Sequence, residues 1–298
     1  MADPKRTVTN PREDRVRLTH YHFGHTAIFS ARVDQRCSWC AYIPSSYERD
    51  GDRAHPLAVV LHGTERDVLG YRDQFAAWGE ENDCIVLSPL LPAGIPGQRD
   101  LYNYHWVRYK GIRFDHILLG IVDEVRDLYR VDGDRFLLHG FSGGGHFTHR
   151  FLYLHPRRLL GASIGAPGVV TLLDPDRPWW SGIGGVEHEF GQEVDIGAVC
   201  QVPVQMVVGD RDLDEWEITL DPGDSMWREG INDTGRTRPE RLRSLRDSFA
   251  AHGAAPRFDL VEGAVHDGFQ VLEPVKEFFG EVLAAHRKTP EEAAWTGA

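Results

Sequence analysis

Short stretches of this chain carry residue types that work together in acyl chemistry. Gly140-Phe-Ser-Gly-Gly144 sets a serine among glycines, Gly209-Asp-Arg-Asp212 offers two carboxylates, and Gly263-Ala-Val-His-Asp-Gly268 offers a histidine. A serine hydroxyl is a weak nucleophile and needs a positioned base. An imidazole serving as that base needs a carboxylate to fix its tautomer and stabilise its cation. The chemistry implied is attack of Ser142 on an acyl carbonyl, with His266 moving the proton and Asp210 or Asp212 behind it.

Such a serine must stand on a sharp turn, and the flanking sequence supplies one. The apolar run Phe136-Leu-Leu138 reads as a strand, and Phe147, Phe151 and Leu154 mark a helix face at i, i+4, i+7. A strand that delivers a serine onto a tight turn with a helix directly behind it is a nucleophile elbow. Glycines at 140 and 144 relieve the crowding of that turn. The helix start places backbone N–H groups beside Ser142, suited to a developing oxyanion. A second G-x-S-x-G, Gly161 to Gly165, runs into Ala166-Pro-Gly168, which cannot open a helix. Ser163 is therefore read as a small residue in a buried strand.

The oxyanion needs a second donor besides the Gly143 N–H. It is expected from the loop His62-Gly63-Thr64-Glu65, after the continuously apolar run Leu57 to Leu61. Thr64 is the preferred donor and Glu65 the fallback. His266 lies just past the strand-like Arg257 to Val261, and loops beyond the carboxyl ends of parallel strands are where α/β proteins place their sites.

Taken together, Leu61-His62-Gly63, Gly140-Phe-Ser-Gly-Gly144, Gly209-Asp-Arg-Asp212 and Val265-His266 resemble the α/β-hydrolase superfamily, over about residues 57–287. Within it the chain is similar to the esterase and polyhydroxybutyrate-depolymerase-like branch. The resemblance points to Asp212 as the acid, since members carry it three residues after the strand-ending glycine. It implies hydrolysis of a carboxylic ester of a small or medium-sized substrate through an acyl-enzyme. An amidase or peptidase with the same triad is the alternative, and a non-catalytic ligand-binding protein on this fold the more distant one.

Phe141, Trp180 and Trp216 are the expected substrate-binding aromatics. A small-molecule acyl substrate is the expected partner, and the mechanism needs no cofactor. No metal site is expected either, because His20-Tyr-His22-Phe-Gly-His25 has no Asp, Glu or Cys at ligand spacing. His139, His146, His149 and His155 flank the elbow and are read as structural or surface residues, since a triad needs only one histidine.

The balance of 33 basic and 45 acidic residues, net −12, argues against nucleic acid or an anionic membrane as partner. No apolar run approaches the roughly 20 residues that span a bilayer. The start has no apolar segment typical of a signal peptide. Cys37 and Cys40 lie in an alternating, strand-like run that would point them to opposite faces, so a cytoplasmic, reducing setting is expected.

Strands alternating with helices predict an α/β fold, a mostly parallel central sheet with helices on both faces and an antiparallel strand pair at the N-terminal end. Residues 1–19 read as a flexible leader, 20–288 as a single domain, and 289–298 as a frayed tail. Irregular, lid-like insertions are expected at about 167–200 and 213–237. Residues 89–110 read as a long loop with an aromatic cluster, Tyr102, Tyr104, Trp106 and Tyr109.

Overall fold

The computed structural model describes residues 18–293. The N-terminal strands are β1 (Gly24–His25), β2 (Phe29–Ser30) and β3 (Ser38–Ile43). Then follow β4 (Leu57–Leu61), α1 (Val68–Glu81), β5 (Ile85–Leu90), the small hairpin β6 (Arg108–Tyr109) and β7 (Ile112–Arg113), and α2 (Phe114–Leu128). The elbow strand β8 (Phe136–Phe141) leads into α3 (Gly143–Leu154) and β9 (Leu159–Gly165). Short helices α4 (Val186–Phe190) and α5 (Ile196–Gln201) precede β10 (Val204–Gly209), and α6 (Arg238–Ala250), β11 (Arg257–Val261) and α7 (Leu272–Ala293) complete the chain.

Among the described residues, nine strands form one sheet in the order β1-β3-β5-β4-β8-β9-β10-β11, with β2 also on β3. Strands β5, β4, β8, β9, β10 and β11 run parallel, and β3 is antiparallel to β5, β1 and β2. The expected mostly parallel sheet with an antiparallel N-terminal pair is what the chain adopts, with Phe29 opposite Trp39 in that pair.

Period-two alternation sorts the layers. On β8, Phe136 points to Phe151 of α3, 6.0 Å between ring centroids, whereas His139 points the other way to Phe75 of α1, 6.2 Å. Helices α1 and α7 meet on that second face, where the Trp78 indole N–H donates to the Lys276 carbonyl at 3.0 Å. Helices α3 and α6 meet on the first, Tyr153 against Phe249 at 5.9 Å. Helices therefore cover both faces, and every residue of β4, β8, β9 and β10 is buried.

Strands β4 and β8 are neighbours, and the connection after β4 runs to β5 on one side while that after β8 runs to β9 on the other. Such a reversal opens a crevice at the carboxyl ends of the two strands. The loops carrying Thr64 and Ser142 both begin there.

Some expectations shift. Helix α1 starts at Val68, where the Asp67 carboxylate caps it by accepting from the Gly70 N–H at 2.9 Å. The stretch 167–200 is not wholly irregular, since it holds α4 and α5. Leu18 is buried rather than part of a free leader. Residues 1–17 of that leader lie outside the described residues, as do residues 294–298 of the tail, while α7 runs past Thr289 to Ala293.

Candidate active site

Ser142 sits between β8 and α3 at φ +54°, ψ −112°, a conformation that costs a non-glycine residue roughly 1–3 kcal/mol. Contacts on both sides hold it there. Its N–H donates to the Gly165 carbonyl at the end of β9, 2.8 Å away, and its carbonyl accepts from the His146 N–H at 3.0 Å to start α3. The glycines are required by close approach. A Cβ at Gly140 would collide with the Gly144 carbonyl, and one at Gly144 would lie 2.8 Å from the His62 carbonyl. Gly143, first in α3, has no intrahelical acceptor for its N–H.

Asp212 and His266 follow neighbouring parallel strands. Asp212 closes a turn after β10, its N–H donating to Gly209 at 3.3 Å, and it is 1 % exposed. His266 follows β11 on a loop held against that turn, where the Arg211 N–H donates to Ala264 at 3.0 Å. Its Nδ1 lies 2.6 Å from Asp212 Oδ2 and its Nε2 3.0 Å from Ser142 Oγ. A carboxylate only accepts, so Nδ1 carries the proton and Nε2 is free to accept from the serine hydroxyl. The Phe141 ring packs on this imidazole, 4.9 Å between centroids. Asp210 does something else: its Oδ1 accepts from the Gly263 N–H at 2.8 Å and ties down the histidine loop.

No protein-family model and no curated protein matches the chain. Solved structures do. The chain is similar to a poly(aspartic acid) hydrolase from Sphingomonas sp. KT-1, at 20% identity and TM-score 0.65 over 81% of this chain and 92% of that one. It is similar to a poly(3-hydroxybutyrate) depolymerase from Bordetella parapertussis, at 21% and 0.62 over 78% and 80%. An S-formylglutathione hydrolase from Staphylococcus aureus follows at 12% and 0.59, over 87% and 98%. These neighbours are α/β-hydrolases. The protein has the α/β-hydrolase fold.

On this α/β-hydrolase sheet Ser142 opens into a pocket. Trp106, Val169, Ile218, Leu220 and Met226 make its apolar wall, Thr64 and His105 stand with Ser142, and Glu217 and Arg238 form a polar end. Gly168 and Val169 come from the 167–200 stretch, and Glu217 to Met226 from the 213–237 stretch. Thr64 thus shares the pocket with Ser142, and the neighbouring Gly63 lies close enough that a Cβ there would be 3.7 Å from the Ser142 Cβ. Of the expected aromatics none lines this pocket. Phe141 buttresses the histidine instead. Trp180 stands behind Trp106 at 4.8 Å, with its indole N–H donating to the Met226 carbonyl at 2.9 Å. Trp216 is 80% exposed, because the hydrogen-bonded turn from Glu215 to Thr219 turns its side chain outward.

The histidines around the elbow are buried and act as struts. His146 Nε2 accepts from the Gly168 and Val169 N–H groups at 2.8 and 3.2 Å. His149 donates from Nδ1 to the Gly145 carbonyl at 2.7 Å and accepts at Nε2 from the Thr171 N–H at 3.0 Å. Burial holds both well below the usual histidine range, as it does His105, and pushes His62 down to about 4. His155 instead reaches the buried Asp115 at 2.8 Å. Arg150, fully buried, is pushed down by burial to about 9 while donating to the His105 carbonyl at 2.6 Å. Ser163 lies under α7, donating to Gln205 Oε1 at 2.8 Å and accepting from His139 Nδ1–H at 3.0 Å.

Sequence reasoning missed His105, Glu217 and Arg238. The aromatic cluster of residues 102–109 signalled the first, and Thr237-Arg-Pro-Glu240, a capping-box pattern, located the last. Nothing in the sequence pairs Arg238 with Asp212. Among the described residues no group of three or more His, Cys, Asp or Glu comes together as a metal site, and no helix is long and apolar enough to cross a membrane.

Proposed function

We propose that the protein is a serine hydrolase that cleaves a carboxylic ester of a small or medium-sized substrate through an acyl-enzyme. One observation carries this reading: the unbroken chain of contacts from Ser142 Oγ through His266 to Asp212, at 3.0 and 2.6 Å, opening on a largely apolar pocket. Ser142 Oγ attacks the acyl carbonyl as its proton passes to His266 Nε2. The N–H groups of Gly143 and Thr64 receive the oxyanion, and Asp212 stabilises the imidazolium. The imidazolium then protonates the leaving alkoxide. Water, deprotonated by the same nitrogen, releases the acid.

The apolar wall of Trp106, Val169, Ile218, Leu220 and Met226 supports an acyl group with hydrocarbon character. An amide substrate would use the same residues, so the test is a series of p-nitrophenyl esters of graded acyl length beside matched p-nitroanilides. Ester turnover with an optimum at short to medium length supports the reading. Anilide turnover that outpaces every ester would replace it with an amidase. Part of the proposal is a reducing, cytoplasmic setting, supported by four free thiols, of which burial pushes Cys37 up to about 12 and Cys40 up to about 11.

A further inference from the structure

We infer that Arg238 is a positioning residue for the triad acid and ties that acid to the wall of the substrate pocket. The inference rests on the reading of Ser142, His266 and Asp212 as the working triad. Asp212 has two carboxylate oxygens and no exposed side-chain surface. Oδ2 is taken by His266, and Oδ1 accepts from Arg238 Nη1 at 3.1 Å. The guanidinium is itself buried, and its Nη2 donates to Glu217 Oε2 at 2.8 Å. Glu217 is 40% exposed and, with Arg238, forms the polar end of the pocket. One rigid fork therefore spans the triad acid and the pocket wall.

The placement of Arg238 is built into the chain. It is the first residue of α6, where the Thr237 hydroxyl accepts from the Glu240 N–H and the Glu240 carboxylate accepts from the Thr237 N–H at 3.3 Å. That reciprocal cap fixes the first turn and hence where the guanidinium starts.

The physical consequence lies in the freedom of Asp212. A buried carboxylate with only one oxygen bonded can rotate to exchange its oxygens, and the imidazole plane follows it. With Oδ1 held by a guanidinium, Oδ2 keeps its direction toward Nδ1, and Nε2 keeps its reach to Ser142. A planar fork can hold two carboxylates at once; an ammonium is a single point of charge. Misplacement of a reacting group by about 1 Å costs on the order of 100-fold in rate, so the effect belongs in kcat.

The test is a double-mutant cycle on a p-nitrophenyl ester, with kcat, KM and thermal midpoint measured for wild type, Arg238→Met, Arg238→Lys, Asp212→Asn and the Asp212→Asn doubles. Arg238→Met is expected to lower kcat by about 10- to 100-fold with KM within about three-fold, and Arg238→Lys to recover part of the loss. In the Asp212→Asn background either change should cost less than about two-fold, because a carboxamide no longer holds His266 in the productive tautomer and its orientation then matters little. Equal losses in both backgrounds, full activity of Arg238→Met, or a loss confined to KM would overturn the inference while leaving the triad intact. If Arg238→Met does not fold, Arg238→Lys carries the same cycle. A fully active Asp212→Asn would overturn the triad reading and this inference with it.

Discussion

Ser142 holds φ +54° on an elbow gripped from both sides, while Ser163, in the same five-residue pattern, lies flat in β9 beneath α7. The difference was legible, because Pro167 forbids a helix behind Ser163 and Phe147, Phe151 and Leu154 announce one behind Ser142. It separates two substitutions. Ser142→Ala should remove turnover by roughly 10⁴- to 10⁶-fold with the thermal midpoint retained. Ser163→Ala should leave kcat within a few-fold but cost stability of about 1–3 kcal/mol, since it strands His139 and Gln205. The two aspartates divide in the same way. Asp212→Asn should cost about 10⁴ in kcat and also lower the melting point, since it removes the charge facing the buried Arg238, whereas Asp210→Asn only turns the charge-assisted bond from the Gly263 N–H into a neutral one, about 1 kcal/mol or less, with little effect on rate. Side-by-side rates and melting curves of the four variants check both pairs. What residue types alone could not reveal is Arg238, whose partner Asp212 lies 26 positions away in sequence.

The buried strands were the most readable elements, since continuous runs such as Leu57 to Leu61 can belong only to a core layer. Loops were the least readable, because their paths depend on bonds to distant backbone. Residues 91–107 show why. Asn103 has no exposure. Its Nδ2 donates to the Pro92 and Ile95 carbonyls at 2.8 and 2.9 Å, and its Oδ1 accepts from the Tyr104 N–H at 2.8 Å and Arg66 at 3.2 Å. This one amide folds the loop that brings His105 and Trp106 to the pocket. Asn103→Ala should therefore cost roughly 2–4 kcal/mol and raise KM for the ester more than it lowers kcat. Calorimetry with steady-state kinetics gives both numbers, and an unchanged KM would show that the loop keeps its path without Asn103. The pocket aromatics failed for the same reason: Trp180 and Trp216 sit in irregular stretches whose side-chain directions no periodicity sets.

Across the whole molecule, buried neutral histidines link stability to pH. His62, His105, His139, His146 and His149 are all held down by burial, His62 to about 4 and His139 to about 3, against an ordinary value of 6.5. Between those values the unfolded chain binds protons that the folded chain refuses, so stability rises with pH. It is fully present above about pH 6.5 and falls below it, by up to about 1.4 kcal/mol per pH unit for each ring. Thermal midpoints should hold from pH 7.5 to about 6.5 and then fall towards pH 5.0, and a profile flat throughout would contradict neutral burial. Alternation of strands and helices makes the fold legible in the sequence, but not this load of buried imidazoles, because histidine carries no strong preference for inside or outside.

The central claim, an activated Ser142, is tested most directly by reaction with a fluorophosphonate followed by intact-mass and peptide mass spectrometry. A single adduct on the peptide carrying Ser142, formed with loss of all esterase turnover and absent in His266→Ala, is the result predicted, since only a serine with a working base reacts fast. Esterase turnover that survives full reaction, an adduct on Ser163, or equal labelling of His266→Ala would contradict it.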